Sequence, residues 1–191
     1  MLIVCSLLLN FATKSYNNMK ANALSVANYF IDLAQKDNKL IHLLGLVKRV
    51  YIAHGLALAY RHKGLLDPRF DKVEAWKYGP VIPSVYHSFK QNKSNAITEK
   101  VSNLIWNDNG EVEWVTPQLT DKEDKEIVEA VWKRYINYTD SELVTLLHRK
   151  GTPWYICYVE GVNVPIPDEV TASYYELLMQ KIHERYEQKL S

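Results

Sequence analysis

Apolar residues recur at helical spacing along most of this chain. Leu24, Ala27, Ile31 and Ala34 fall at i, i+3, i+7 and i+10, and Val26, Phe30 and Leu33 widen the stripe. That pattern predicts a helix over 22–35 with a face broad enough for the inside of a bundle. A second helix is predicted over 41–62. There Leu43, Val47, Val50, His54 and Ala57 share a face, with Leu46, Tyr51 and Leu58 beside it. Gly45 and Gly55 lie inside that helix, where each costs about 1 kcal/mol against alanine. They read as points where another backbone comes close. His54 reads as a core histidine with its hydrogen bonds satisfied. Lys63-Gly64 is the expected stop.

Downstream the period changes. Val73 to Trp76 reads as extended. Tyr78-Gly79-Pro80 is a turn, because Gly79 tolerates a backbone that other residues resist and Pro80 holds its neighbour out of the helical region. Pro83 then opens a helix whose Ile82, Val85, Tyr86 and Phe89 share one face. Leu104-Ile105-Trp106 and Val112-Glu113-Trp114-Val115 flank an Asn-Gly turn, which predicts a β-hairpin at about 103–116. A lone hairpin is marginal, so Trp106 or Trp114 is expected to rest on the helices. Thr120-Asp121-Lys122-Glu123 and Thr139-Asp140-Ser141-Glu142 are capping-box signatures, each followed by an apolar helical run. His148-Arg149-Lys150 before Gly151 and Pro153 is a helix stop. Trp154 to Tyr158 reads as a single turn, and Asp168 caps a last helix. The expected fold is mostly α: a single-domain helical bundle of five to six helices with one small β-hairpin.

The stretch from Glu74 to Phe89 also carries a resemblance. Glu-Ala-Trp-Lys-Tyr-Gly-Pro-Val-Ile-Pro-Ser-Val-Tyr resembles the signature of the Panacea domain of SocA- and GepA-like antitoxins, phage-associated proteins among them. Upstream, Ala27–Ile31 and Leu46–Gly55 look like its first two helices. Downstream, Ser141–Val144 and Gly151–Trp154 look like its closing motif. The likeness runs from about Asn22 to Glu176. Arg49 and Val50 depart from it, standing where the family usually has Leu-Leu. Residues 19–191 are therefore read as the Panacea (SocA-like antitoxin) domain. Residues 1–18, with the short apolar run Leu2–Leu9, are read as a non-native leader or a disordered tail, with translation starting at Met19.

Composition narrows this further. At 191 residues and 47% hydrophobic content the chain can build its own core. Two cysteines make no disulfide framework, which suits a cytoplasmic location. The net charge of +1 hides an asymmetry: residues 36–103 hold twelve Lys/Arg and five Asp/Glu, residues 108–169 six and thirteen. This is either ordinary solvated helix faces or a polar surface that steers a charged partner.

Catalytic and cofactor motifs are missing from the sequence. It has no phosphate-binding glycine loop, no Gly-x-Ser-x-Gly elbow and no His-Glu-x-x-His or Cys-x-x-Cys arrangement. Cys157 reads as a small core residue behind Trp154. The expectation is a protein that is not an enzyme and has no cofactor, metal or membrane. Nucleic acid is not the expected partner, although Arg61, Lys63, Arg69 and Lys72 lie near Tyr60. The resemblance implies a non-enzymatic antitoxin that neutralises a cognate toxin protein by direct complex formation. It equally implies an alternative, an adaptor that delivers the toxin to a ClpX-type protease. Trp76, Tyr78, Gly79, Pro80 and Trp154 are the candidate partner-binding residues. The three aromatics either pack inside or line an exposed groove.

Overall fold

The computed structural model of the protein describes residues 22–107 and 109–190. The expectation about residues 1–18 lies outside them. Among the described residues the chain is mostly α with a small hairpin, as its periodicity predicts. The helices are α1 (Ala23–Lys36), α2 (Leu43–Arg61), α3 (Pro83–Phe89), α4 (Lys122–Tyr135), α5 (Asp140–Leu147), α6 (Pro153–Cys157) and α7 (Asp168–Leu190). They exceed the expected five to six because the turn at Trp154 closes into a short helix, α6. Pro153 starts it and the Thr152 side chain accepts from the Tyr155 amide.

Helix α2 is the axis. Every residue from Gly45 to Gly55 is buried, and α1, α3, α4, α5 and α7 all pack on it. A helix buried on all sides reads as apolar throughout. By length and composition alone α2 would be long and apolar enough to cross a membrane, but here it is the core helix of the bundle. Its two glycines receive side chains rather than backbone. A Cβ on Gly55 would lie 2.3 Å from the Tyr175 ring, and one on Gly45 2.2 Å from the Asp140 carboxylate. His62, not Gly64, takes the left-handed cap at φ 54. His54 is satisfied as expected: Nδ1 accepts from the Leu65 amide at 3.2 Å, so Nε2 carries the proton and donates to Asp168 at 3.0 Å. Asp168 is thus the first residue of α7, with its carboxylate spent on α2.

Capping follows side-chain chemistry. Thr139 and Glu142 form the expected reciprocal box. At α4 the cap moves one residue on: Asp121, not Thr120, accepts from the Asp124 amide. Asn22 and Ser25 form a box at α1 as well.

Two small sheets accompany the bundle. Strand β1 (Glu74–Trp76) is central, antiparallel to β2 (Gly79–Val81) and to β5 (Val164–Pro165). Strands β3 (Asn103–Trp106) and β4 (Val112–Val115) form the separate hairpin. It is fastened at its root. The buried Asn28 of α1 donates to the Val101 and Pro117 carbonyls, each at 3.0 Å, and accepts from the Val101 amide. Trp106 and Trp114 do not rest on the helices; both are exposed. The root bonds, not the tryptophans, hold the hairpin.

Candidate functional site

The Tyr78-Gly79-Pro80 turn is assembled from four parts of the chain. Trp76 pairs with Gly79, leaving Lys77 and Tyr78 as a two-residue connection between β1 and β2. Gly79 has φ +98, in the region that favours glycine. The Trp76 carbonyl accepts from the indole Nε1 of Trp154 at 2.7 Å. Trp76 itself donates to Glu74 at 2.7 Å and meets Tyr86 edge-on at 5.0 Å. Trp154 lies flat between two rings, with His148 3.6 Å away and Tyr158 4.6 Å away.

Beneath the turn lies a cation that the sequence pattern did not single out. Lys48 of α2 is fully buried and its Nζ donates to the Pro80 carbonyl at 2.8 Å. Burial pushes its pKa down to about 7, against the pull of the Asp140 carboxylate. His148 closes the other side. Burial, then the Lys48 charge, hold its imidazole below the usual range, and the Tyr78 backbone opposes them. Its buried Nε2 has no hydrogen-bond partner among the described residues. Next to Lys48, Arg49 is also buried. Its Nη2 donates to the Tyr135 and Tyr138 carbonyls at 2.9 and 3.1 Å, and its guanidinium lies 5.6 Å from the Trp132 ring. Arg49 therefore satisfies carbonyls at the end of α4, work that a leucine at this position could not do.

The five predicted residues come together here, in different roles. Gly79, Pro80 and Trp154 are buried and Trp76 is half-buried; Tyr78 is 62% exposed at the tip. The aromatics therefore make a packed support with one exposed ring, not a groove. Chemically, the cluster holds a backbone in place. An amine near neutrality could attack a carbonyl, but Lys48 is sealed from solvent and engaged with Pro80. Cys157 is half-buried, and burial raises its thiol pKa. Among the described residues no group of three or more His, Cys, Asp or Glu is placed to hold a metal ion.

Gly79→Val tests the turn. The added Cβ would sit 3.1 Å from the Lys48 amine and 3.3 Å from His148 Nε2, at a φ that β-branched residues resist. The expected loss is about 1–3 kcal/mol in urea denaturation. An unchanged midpoint would show that the turn opens freely.

The charge asymmetry of the sequence is partly consumed inside the fold. Lys48 and Arg49 are buried, and Arg61 pairs with Glu123 and Asp124 of α4. Part of the basic first half therefore meets the acidic second half internally.

Known proteins agree with the motif. A family model described as "Antitoxin SocA-like, Panacea domain" matches residues 46–155, from inside α2 to Tyr155. The chain is 34% identical over 135 residues to Antitoxin SocA of Caulobacter vibrioides (strain NA1000 / CB15N), spanning 70% of this chain and 68% of that protein. No solved structure matches it significantly. The matched span contains the turn, the Lys48 clamp beneath it and the Trp154 support, and this chain belongs to the SocA-like antitoxin, Panacea-domain family.

Proposed function

We propose that this protein is an antitoxin that neutralises a co-encoded toxin in the cytoplasm by holding it in a stable complex, without chemistry of its own. The likeness to Antitoxin SocA over 135 residues carries this reading. The sealed Lys48 supports it, because the most perturbed amine in the fold fastens a turn and does not face a substrate. Residues 19–191 act as one binding module. Tyr78 is the contact residue of the turn, and Trp76, Gly79, Pro80 and Trp154 hold it out.

The test is co-expression with the neighbouring reading frame in cells with and without ClpX. Direct neutralisation predicts that growth is rescued in both strains and that the toxin persists in a complex. Rescue only with ClpX, with falling toxin, would replace complex formation by protease delivery. A neighbour that is harmless and does not co-purify would remove the antitoxin reading.

A further inference from the structure

The β3–β4 hairpin presents an apolar face that none of the described helices covers. Its register puts Leu104 opposite Trp114 and Trp106 opposite Val112. Residues two apart on a strand, and residues directly opposite across an antiparallel pair, share a face. Those four side chains therefore form one surface, and they are 55%, 69%, 73% and 50% exposed in that order. Such a set presents roughly 500 Å² of apolar area, near the most that a monomer normally leaves uncovered. The hairpin is also well defined at both ends. Asn28 holds its root, and Asn107 Oδ1 accepts the Asn109 and Glu111 amides at its tip. In the two-stranded sheet, the outer edge of each strand is unpaired among the described residues.

Charge decides the occupant. Residues 103–115 contain Asp108, Glu111 and Glu113 and no lysine or arginine. Glu113 stands opposite Ile105 on the other side of the hairpin, so the acidic charge surrounds the apolar face and does not interrupt it. For two copies docked face to face, that face alone falls short of the ~800 Å² per partner of a stable interface. Phosphate backbones and anionic membranes would be repelled by the same charges. A protein with an apolar cleft rimmed by lysine or arginine is attracted, and it can also extend the sheet along an open edge.

We infer that the β3–β4 hairpin is a docking arm whose Leu104, Trp106, Val112 and Trp114 face seats in a basic-rimmed apolar cleft of the toxin. This rests on the antitoxin reading and adds a second contact, separate from Tyr78. The experiment titrates the full chain against the product of the neighbouring reading frame. Trp106→Ser/Trp114→Ser is expected to weaken binding by about thirtyfold or more, as loss of central aromatic anchors does. Its melting temperature should stay unchanged, because both rings are in solvent. Glu111→Lys/Glu113→Lys leaves the apolar face intact and is expected to slow association and flatten its salt dependence. If the wild type binds a toxic neighbour and both variants bind equally well, the arm is not the contact and the antitoxin reading stands. If the wild type does not bind, the antitoxin reading falls and this inference with it. If the chain alone dimerises and the tryptophan variant does not, the occupant is a second copy. Tryptophan-dependent binding of duplex DNA, RNA or phosphatidylserine vesicles would likewise overturn a protein partner.

Discussion

Gly55→Ala is expected to destabilise the protein by about 2 kcal/mol, even though alanine is the better helix former by about 1 kcal/mol. The reason lies across the α2–α7 contact. The new methyl would sit 2.3, 2.4 and 2.9 Å from three carbons of the Tyr175 ring. Tyr175 is buried and meets Tyr51 and Tyr174 edge-on at 6.2 and 5.2 Å, so its ring has nowhere to turn. Overpacking at such a site typically costs about 1–3 kcal/mol, beyond the propensity gained. For a chain of this size the melting temperature should fall by roughly 4–8 °C. Urea denaturation with far-UV circular dichroism checks it. A stabilised variant would mean that α7 does not press on α2 at this point.

Lys48→Met is expected to do the opposite, in a pH-dependent way. A group whose folded pKa is depressed from 10.5 to about 7 penalises the folded state fully below pH 7. The penalty fades between 7 and 10.5 and is gone above. It amounts to roughly 5 kcal/mol at most, an upper figure because the Asp140 charge and the Pro80 carbonyl both relax when the site opens. Methionine removes the penalty and leaves one carbonyl less satisfied, at about 1–2 kcal/mol. The variant should therefore melt higher than wild type at pH 6–7, and the gap should close or reverse by pH 9.5. His148 is held below its usual range by burial and by the Lys48 charge, so its own penalty at acid pH is smaller in the variant, which widens the gap there. The buried tyrosines Tyr51 and Tyr175, whose hydroxyls burial pushes up, titrate alike in both proteins. A constant gap across that pH range would show that Lys48 is not the titrating group.

Local signals were legible in the sequence where one segment decides them. The Thr139–Glu142 box and the Asn-Gly hairpin are settled by adjacent residues and appear as expected. Thr120 and Asp121 are both good caps, and only the structure shows that the carboxylate takes the amide. What needed a distant partner was hidden. Strand β5 is two residues, one a proline, and exists only because β1 offers an edge. Alternation in the hairpin shows which side chains share a face but not which face meets water, so the expectation that Trp106 or Trp114 rests on the helices fails for both. In the site, the positive φ of Gly79 was readable. The cation under it was not, because lysine and arginine in a helix ordinarily mark solvent. The trace of Lys48 and Arg49 in the sequence was a pair of charges interrupting the apolar run of α2. Their acceptors, the carbonyls of Pro80, Tyr135 and Tyr138, lie far along the chain.

The Asn28 side chain bonds one residue before the β3–β4 segment and one after it. Its amide therefore works as a clasp: the bundle ends at Val101, resumes at Pro117, and its interior does not depend on what lies between. Among the described residues of 103–115, none belongs to the buried core. Recognition and folding are thereby assigned to different stretches of one chain, and a new arm could be spliced between the same two carbonyls while the bundle that displays it stays as it is.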